Sequence, residues 1–302
     1  MIPVLLGVTL LVFFIMHLAP GNVAAMILGE NATKEQIAAL EAEMGLDRPL
    51  LIQYLDYLLG LLHGDLGTSY TTGASVTSEI MARFPYTVVL TLVAAVVSIL
   101  LALPLGILAA VKQNTWVDNV SMVVSLIGVS MPIFWLAVML ILFFSLKLGW
   151  FPVYGANSWD SIVLPAISLG FMNMASIART TRSSMVETIR QDYIRTAYAK
   201  GLSKGTIIMR HAFRNGMLPT ITVIGLEIGQ MLGGSVLTET VFAWPGVGRL
   251  MIQSINGRDT PMVMGCIILM TICFSFVNLI VDLLYGVVDP RMRRGRRENA
   301  SV

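Results

Sequence analysis

The sequence predicts an all-α integral membrane protein of six transmembrane helices with a small helical extracytoplasmic subdomain. Three observations carry that prediction. The 302 residues are 56% apolar and only 13% charged, against roughly 25% charged in an ordinary soluble domain. The charges are bunched and leave several runs of about 20 residues almost free of them, which is the length that crosses a hydrocarbon core. The basic residues also cluster in connections that share one side of the membrane, as a fixed orientation in a bilayer requires. The net charge of +2 averages an acidic loop against two basic ones and says little by itself.

The first span is about Met1–Leu18, an apolar run with no basic flank and no small-residue cleavage site, so it reads as an uncleaved helix rather than a signal peptide. It is slightly short, and a start missing a few cytoplasmic residues fits that length. Residues 19–85 form the external subdomain, with eight acidic residues against three basic ones. Within it, Thr33-Lys34-Glu35-Gln36 is a capping box. Ile37, Leu40 and Met44 follow at helical spacing, and Gly45 stands where a left-handed cap belongs. A second amphipathic helix carries Leu51, Tyr54, Leu55, Leu58 and Leu62 on one side and ends at Gly64-Asp65-Leu66-Gly67.

The second span is Tyr86–Val111 and the third Val120–Leu146. The fourth, Ile162–Ile177, is short and contains Pro165, Gly170 and Asn173; a buried, kinked helix tolerates these because its neighbours re-satisfy the backbone. The fifth is Leu218–Val241, and the sixth, Met262–Val288, holds both cysteines, Cys266 and Cys273. Seven residues apart on a helix they cannot bond to each other, and they read as small core or lipid-facing side chains.

Orientation follows from charge. Eight Lys and Arg residues lie between Arg179 and Arg214, and five arginines occupy the tail 289–302. Six spans put both regions and the Lys112 loop on one side, which must then be the cytoplasm, with both termini there. Residues 86–288 are thus a five-helix core that includes a cytoplasmic loop, 179–217.

That loop is too patterned to be a plain connector. Asp192 to Gly201 reads as a short helix, with Asp192 at its electropositive start, Lys200 at its electronegative end and Gly201 as C-cap. Tyr193, Thr196, Ala197 and Lys200 share a face fit to lie in a groove of another protein. The bland alternative, a basic connector drawn to anionic lipid, explains the charge but not the capped helix. Arg195 to Gly201 (Arg-Thr-Ala-Tyr-Ala-Lys-Gly) and Arg210 to Pro219 (Arg-His-Ala-Phe-Arg-Asn-Gly-Met-Leu-Pro) resemble the permease subunits of ATP-binding cassette importers, in the dipeptide/oligopeptide/nickel group. Further matching runs lie along nearly the whole chain in order: His17 to Gly21, Gly45 to Asp47, Gly64 to Gly67, Gly149 to Pro152, Leu232 to Ser235, Glu239 to Phe242, Trp244 to Gly248 and Asp289-Pro290. The general importer motif opens Glu-Ala-Ala where this chain has Arg195-Thr196-Ala197, and the interval from Gly201 to Pro219 is longer than the general one. Both departures point to the peptide branch.

The resemblance implies a type I ABC importer permease-like bundle in a bacterial plasma (inner) membrane. It also implies that Tyr193, Arg195, Thr196, Ala197, Tyr198, Lys200 and Gly201 form the coupling element that docks on an ATPase. The implied partners are a second homologous permease chain, two ATP-binding cassette ATPase subunits and an extracytoplasmic solute-binding protein; no nucleic acid is expected. No Gly-x-x-x-x-Gly-Lys-Ser/Thr phosphate loop occurs, so ATP and Mg would be used by the partner subunits and no cofactor is expected on this chain. His17, His63 and His211 lie on different sides of the membrane, so no metal site is expected.

Other residues have a functional and a structural reading. Glu227, Met231 and Glu239 in the fifth span are pathway candidates, since a charge in a span costs roughly 2.5–3.5 kcal/mol on insertion scales and thioethers suit a tolerant lining; bonded carboxylates and gap-filling methionines are the structural counterpart. Gly229, Gly233 and Gly234 would let a neighbouring helix approach. Trp244 and Gly246 would sit at the outer interface, facing the binding protein or anchoring a turn among headgroups. The rival function is a stand-alone secondary transporter or channel with Glu227 and Asp282 as proton or cation sites. It would need inverted repeats and paired broken helices, which the sequence lacks. No nucleophile–base pair or metal spacing supports a membrane enzyme.

Overall fold

The chain folds as a run of helices whose ends are fixed by proline, glycine and a few side-chain caps. The computed structural model describes residues 2–18, 22–29 and 31–288. In order they form α1 (Ile2–Leu18), α2 (Val23–Leu28), α3 (Lys34–Glu43), α4 (Leu50–Leu62), α5 (Val76–Val111), α6 (Trp116–Ser130), α7 (Ile133–Leu140), α8 (Val163–Ile189), α9 (Asp192–Ala199), α10 (Lys204–Thr206), α11 (Phe213–Gly234), α12 (Val236–Val241), α13 (Val247–Asn256) and α14 (Thr260–Val288). A π-helical turn, Ile141–Lys147, continues α7, and another, Ile207–Ala212, joins α10 to α11. No strand occurs among the described residues. The expected Ala19-Pro20-Gly21 and Asp289-Pro290 matches and the arginine tail lie outside them.

The helices differ from hydropathy expectation at their ends. α5 starts at Val76 rather than Tyr86 and keeps Pro85 inside it. α8 runs on to Ile189, twelve residues beyond the expected Ile177, because a helix needs no bilayer to continue and Arg179 and Arg182 are good helix formers. The expected third span is two helices: α6 and α7 are bent 100° apart. Pro132 causes the break, since it lacks an N–H and forces Met131 out of the helical region, to φ −83°, ψ 130°. The expected fifth span likewise ends at Gly234, and its last residues form the separate α12. Among the described residues, three helical stretches are long and apolar enough to cross a membrane, 76–111, 159–189 and 260–283, or four if the bent α6–α7 pair is one span. The capping box of α3 forms as expected: Thr33 Oγ1 accepts from the Gln36 amide and Gln36 Oε1 accepts from the Thr33 amide. Gly45 takes the left-handed φ of +68°.

The centre of the bundle is the contact of α5 with α8. Ala94, Ser98, Ala102 and Gly106 recur every fourth residue on α5 and face Gly170, Met174, Ala178 and Thr181 on α8. The backbones nearly touch: a Cβ at Gly170 would lie 2.6 Å from the Ala94 carbonyl oxygen, and one at Gly106 2.7 Å from that of Ala178. Small residues spaced four apart permit this approach, which gains dispersion contacts where lipid offers no hydrophobic drive. Gly128 brings α6 onto α8 in the same way. On α11, Gly225 and Gly229 approach Val281 and Phe274 of α14 and Gly216 approaches Thr188 and Met185 of α8, whereas Gly233 has nothing within 4 Å of where a Cβ would stand. Gly229 thus meets a neighbouring helix as expected, and the surroundings of Gly234 lie outside what is described.

Candidate functional site

α9 crosses the end of the bundle at which α8 terminates. Ile194 and Ala197 are buried in a cluster with Met185 of α8, Ala110 of α5, Ile207 and Ala212. That leaves Tyr193, Arg195, Thr196, Tyr198 and Lys200 exposed. Ala197 therefore does not belong to the outward face expected for it; three residues after Ile194, it is the second foot by which α9 stands on the bundle. Thr196 Oγ1 donates to the Asp192 carbonyl, and Asn215 Nδ2 donates to Tyr193 Oη at 3.0 Å, tying α9 to the first turn of α11. Gly201 closes the element at φ +78°, with nothing within 4 Å of where a Cβ would stand. Its glycine thus answers to backbone geometry and not to crowding. Two tyrosines, 41% and 46% exposed at Tyr193 and Tyr198, and Leu202 beside them find no cover among the described residues.

Behind α9 lies a polar link that sequence reasoning missed. Arg182 of α8 donates from Nε to Asp118 Oδ1 at 2.6 Å and from Nη2 to Oδ2 at 2.7 Å, and the Asn114 amide donates to Oδ2 at 3.0 Å. The Arg182 donors hold the Asp118 carboxyl below the usual carboxylate range, and that carboxylate in turn raises the guanidinium above its own. The pair bolts the start of α6 to the α8 extension that carries α9. Its partners stand 64 residues apart, and no local signal in the chain joins them.

The opposite end of the bundle is organised around Glu239. Its Oε1 accepts from Thr87 Oγ1 at 2.8 Å and from Ser235 Oγ at 2.9 Å, and its Oε2 accepts from the Arg249 amide at 2.9 Å. Thr87 Oγ1 accepts from the Val247 amide in turn. Glu239 and Thr87 thereby satisfy free amides in the first turn of α13, where a negative group is favoured. Glu239, expected as a pathway candidate, is fully buried within the chain. Met231, a second pathway candidate, is packed in a core cluster with Leu90, Ala94, Leu169 and Trp244. Glu227 is buried as well, at 9% exposure the least enclosed of the three. Asp282 is exposed on α14.

Trp244 and Gly246 are buried too, so neither offers an external face. Trp244 Nε1 donates to the Tyr86 carbonyl at 3.0 Å, and a Cβ on Gly246 would stand 2.4 Å from the Glu239 carboxyl carbon. The tryptophan found its polar partner inside the fold and not among headgroups. A second missed residue, Asp259, is buried where α14 begins; it accepts from the Tyr70 and Thr71 amides and from Ser69 Oγ, and caps the Met262 amide. No group of residues able to hold a metal ion occurs among the described residues.

Comparison with known proteins bears on this geometry. Residues 102–294 match the family "Binding-protein-dependent transport system inner membrane component", and residues 1–91 match the N-terminal region of such membrane components. A dipeptide transport system permease protein, DppB, of Alkalihalophilus pseudofirmus is 44% identical, with 97% of this chain and 96% of that protein covered. A glutathione transport system permease protein, GsiC, of Escherichia coli strain K12 is 41% identical over the same shares. Among solved structures, the inward-facing MetNI methionine ABC transporter superposes with a TM-score of 0.60 at 19% identity, covering 70% of this chain and 96% of that one. An amino acid ABC transporter gives 0.55 at 15% identity, covering 69% and 94%. The fold is thus that of ABC importer permeases, and the chain belongs to the inner membrane components of binding-protein-dependent transport systems, in their dipeptide and oligopeptide branch.

Proposed function

We propose that this chain forms, with a second homologous permease, the pathway by which an ATP-driven importer brings a di- or oligopeptide, or a similar small solute such as glutathione or a nickel chelate, into a bacterial cell. In this reading the chain makes six crossings, and the α9 end faces the cytoplasm, because the eight basic residues from Arg179 to Arg214 collect there. α9 is the handle. Two ATP-binding cassette subunits, which carry the ATP and Mg, grip Tyr193, Arg195, Thr196, Tyr198 and Lys200, and their closure pulls α9. Ile194 and Ala197 pass the pull to α8 and α5, and Asp118 passes it to α6. An external binding protein delivers the solute at the other end.

The observation that carries this reading is the construction of α9: eight residues, two of them buried feet, the rest exposed with uncovered tyrosines. A solvated connector needs no such feet. The test is uptake of a labelled dipeptide into vesicles holding the complete importer and its binding protein. Accumulation should require ATP and the binding protein and should ignore proton and sodium gradients. Uptake by this chain alone, driven by an ion gradient and lost in Glu227→Gln or Asp282→Asn, would establish the stand-alone transporter instead.

A further inference from the structure

α4 does not fit a subdomain standing wholly in water. Its apolar surface is wider than its packing needs. Tyr54 is buried against Phe13 of α1 and Met264 of α14, with Leu58 half-buried beside them. On the adjoining face Leu51, Leu55, Leu59 and Leu62 are 65%, 56%, 57% and 81% exposed, uncovered by the other described residues. The polar edge is confined to Gln53 and Asp56, which turn back to the loop before the helix: Gln53 Nε2 donates to the Leu46 and Arg48 carbonyls, and Asp56 pairs with Arg48.

The depth of α4 along α1 decides what covers the leucines. Tyr54 Oη donates to the Leu6 carbonyl at 3.3 Å and lies 3.0 Å from Thr9 Oγ1. Leu6 is twelve residues before the end of α1 at Leu18, about 18 Å along a helix at 1.5 Å per residue. The hydrocarbon core is about 30 Å thick, so one tyrosine side chain cannot reach that level from outside the membrane. α1 also presents a bare apolar stripe of its own, Val4, Leu11 and Ile15, each more than half exposed. A helix with an apolar face, a narrow polar edge and a contact at that depth has the make-up of one lying in the interface with its leucines among acyl chains.

We propose that α4 is embedded in the outer leaflet, with the Leu51–Leu55–Leu59–Leu62 face on lipid acyl chains and the Gln53–Asp56 edge toward water. Of the described external residues, α2, α3, the loops beside them and the 65–75 loop then remain as a surface for soluble partners. The proposal rests on the membrane orientation given above and not on what is transported.

The test places a nitroxide at Leu55→Cys or Leu59→Cys, with Leu51→Cys as a third position should the label disturb either, in a Cys266→Ala, Cys273→Ala background of the full chain assembled in its complex in lipid vesicles. Lys34→Cys on α3 serves as the aqueous reference and Leu100→Cys on α5 as the lipid reference. Collision with lipid-soluble oxygen should exceed collision with a water-soluble nickel chelate several-fold, as at Leu100. Chelate access equal to that at Lys34 would place the face in water and overturn the proposal. Exclusion of both reagents would show a protein partner on the face and overturn it equally. Dipeptide uptake by the same vesicles is read separately, so a failed transport reading and a failed lipid contact are told apart.

Discussion

Take away the carboxylate of Asp118, and Arg182 keeps a guanidinium in place with two donors unanswered. Asp118→Ala should destabilise the protein by about 1.5–3 kcal/mol, the usual worth of hydrogen bonds to a charged group, toward the lower end because Arg182 stays 28% exposed. A lower melting temperature in detergent, with Asp118→Asn between mutant and parent, checks it. The pH dependence has a definite sign. A carboxyl held below its ordinary value in the folded state contributes stability above the unfolded value of about 3.9, and that contribution is lost as pH falls through the lower folded value. The link should therefore persist through mildly acidic pH, and the stability difference between parent and Asp118→Ala should shrink only below about pH 4. At the other end, Glu239→Ala strands the hydroxyls of Thr87 and Ser235 and the Arg249 amide. It should cost about 3 kcal/mol or more, since each buried unpaired donor costs about 1–3. Glu239→Gln keeps an acceptor oxygen and should cost less. Loss of transport in Glu239→Ala without loss of thermal stability would instead assign Glu239 to the pathway.

At the scale of elements, glycines that look alike in the sequence answer to different forces. Gly201→Ala meets no atom, and its cost should be the 1–2 kcal/mol of holding an L-residue left-handed, with Gly201→Asn milder. Gly170→Val must part α5 from α8, because its Cβ would meet the Ala94 carbonyl at 2.6 Å, and it should prevent recovery of folded protein altogether. Size-exclusion profiles of the two variants separate these outcomes. Ala197→Asp should release α9 from its cluster, so protease should cut the 190–203 region faster while the rest of the chain resists. Much of α9 is legible in the sequence because its signals are local: Asp192, Lys200 and Gly201 fall within one short stretch. The break at Pro132 is hidden because apolar residues continue on both sides of it, and a hydropathy average cannot see a missing N–H. The overrun of α8 is hidden for the opposite reason, as Arg179 and Arg182 end the apolar run but not the helix. Trp244 misleads because a tryptophan near a span end suits headgroups in general, while here the Tyr86 carbonyl, 158 residues away, takes its N–H.

Across the whole molecule the two polar centres, Asp118 with Arg182 and Glu239 with Thr87, sit at opposite ends of a bundle whose middle is closed by the backbone contact of α5 with α8. Under the proposed coupling role, a pull on α9 would act on α5 and α8, whose backbones are in close contact, while the α6–α7 helix is already broken by a 100° bend. Purified without partners, the chain should hydrolyse no ATP, and steady hydrolysis by a homogeneous sample would contradict the division of labour between permease and ATPase. The central claim is that α9 faces the cytoplasm and is held by a separate subunit. Its most direct measurement uses a cysteine in place of Thr196, an exposed residue on the outward side of α9, in a Cys266→Ala, Cys273→Ala background. In intact cells a membrane-impermeant maleimide should leave that cysteine unmodified until the membrane is opened, and in the assembled importer a short bifunctional reagent should join it to an ATP-binding subunit. Labelling from outside the intact cell, or no cross-link to that subunit in an importer active in uptake, would contradict the account.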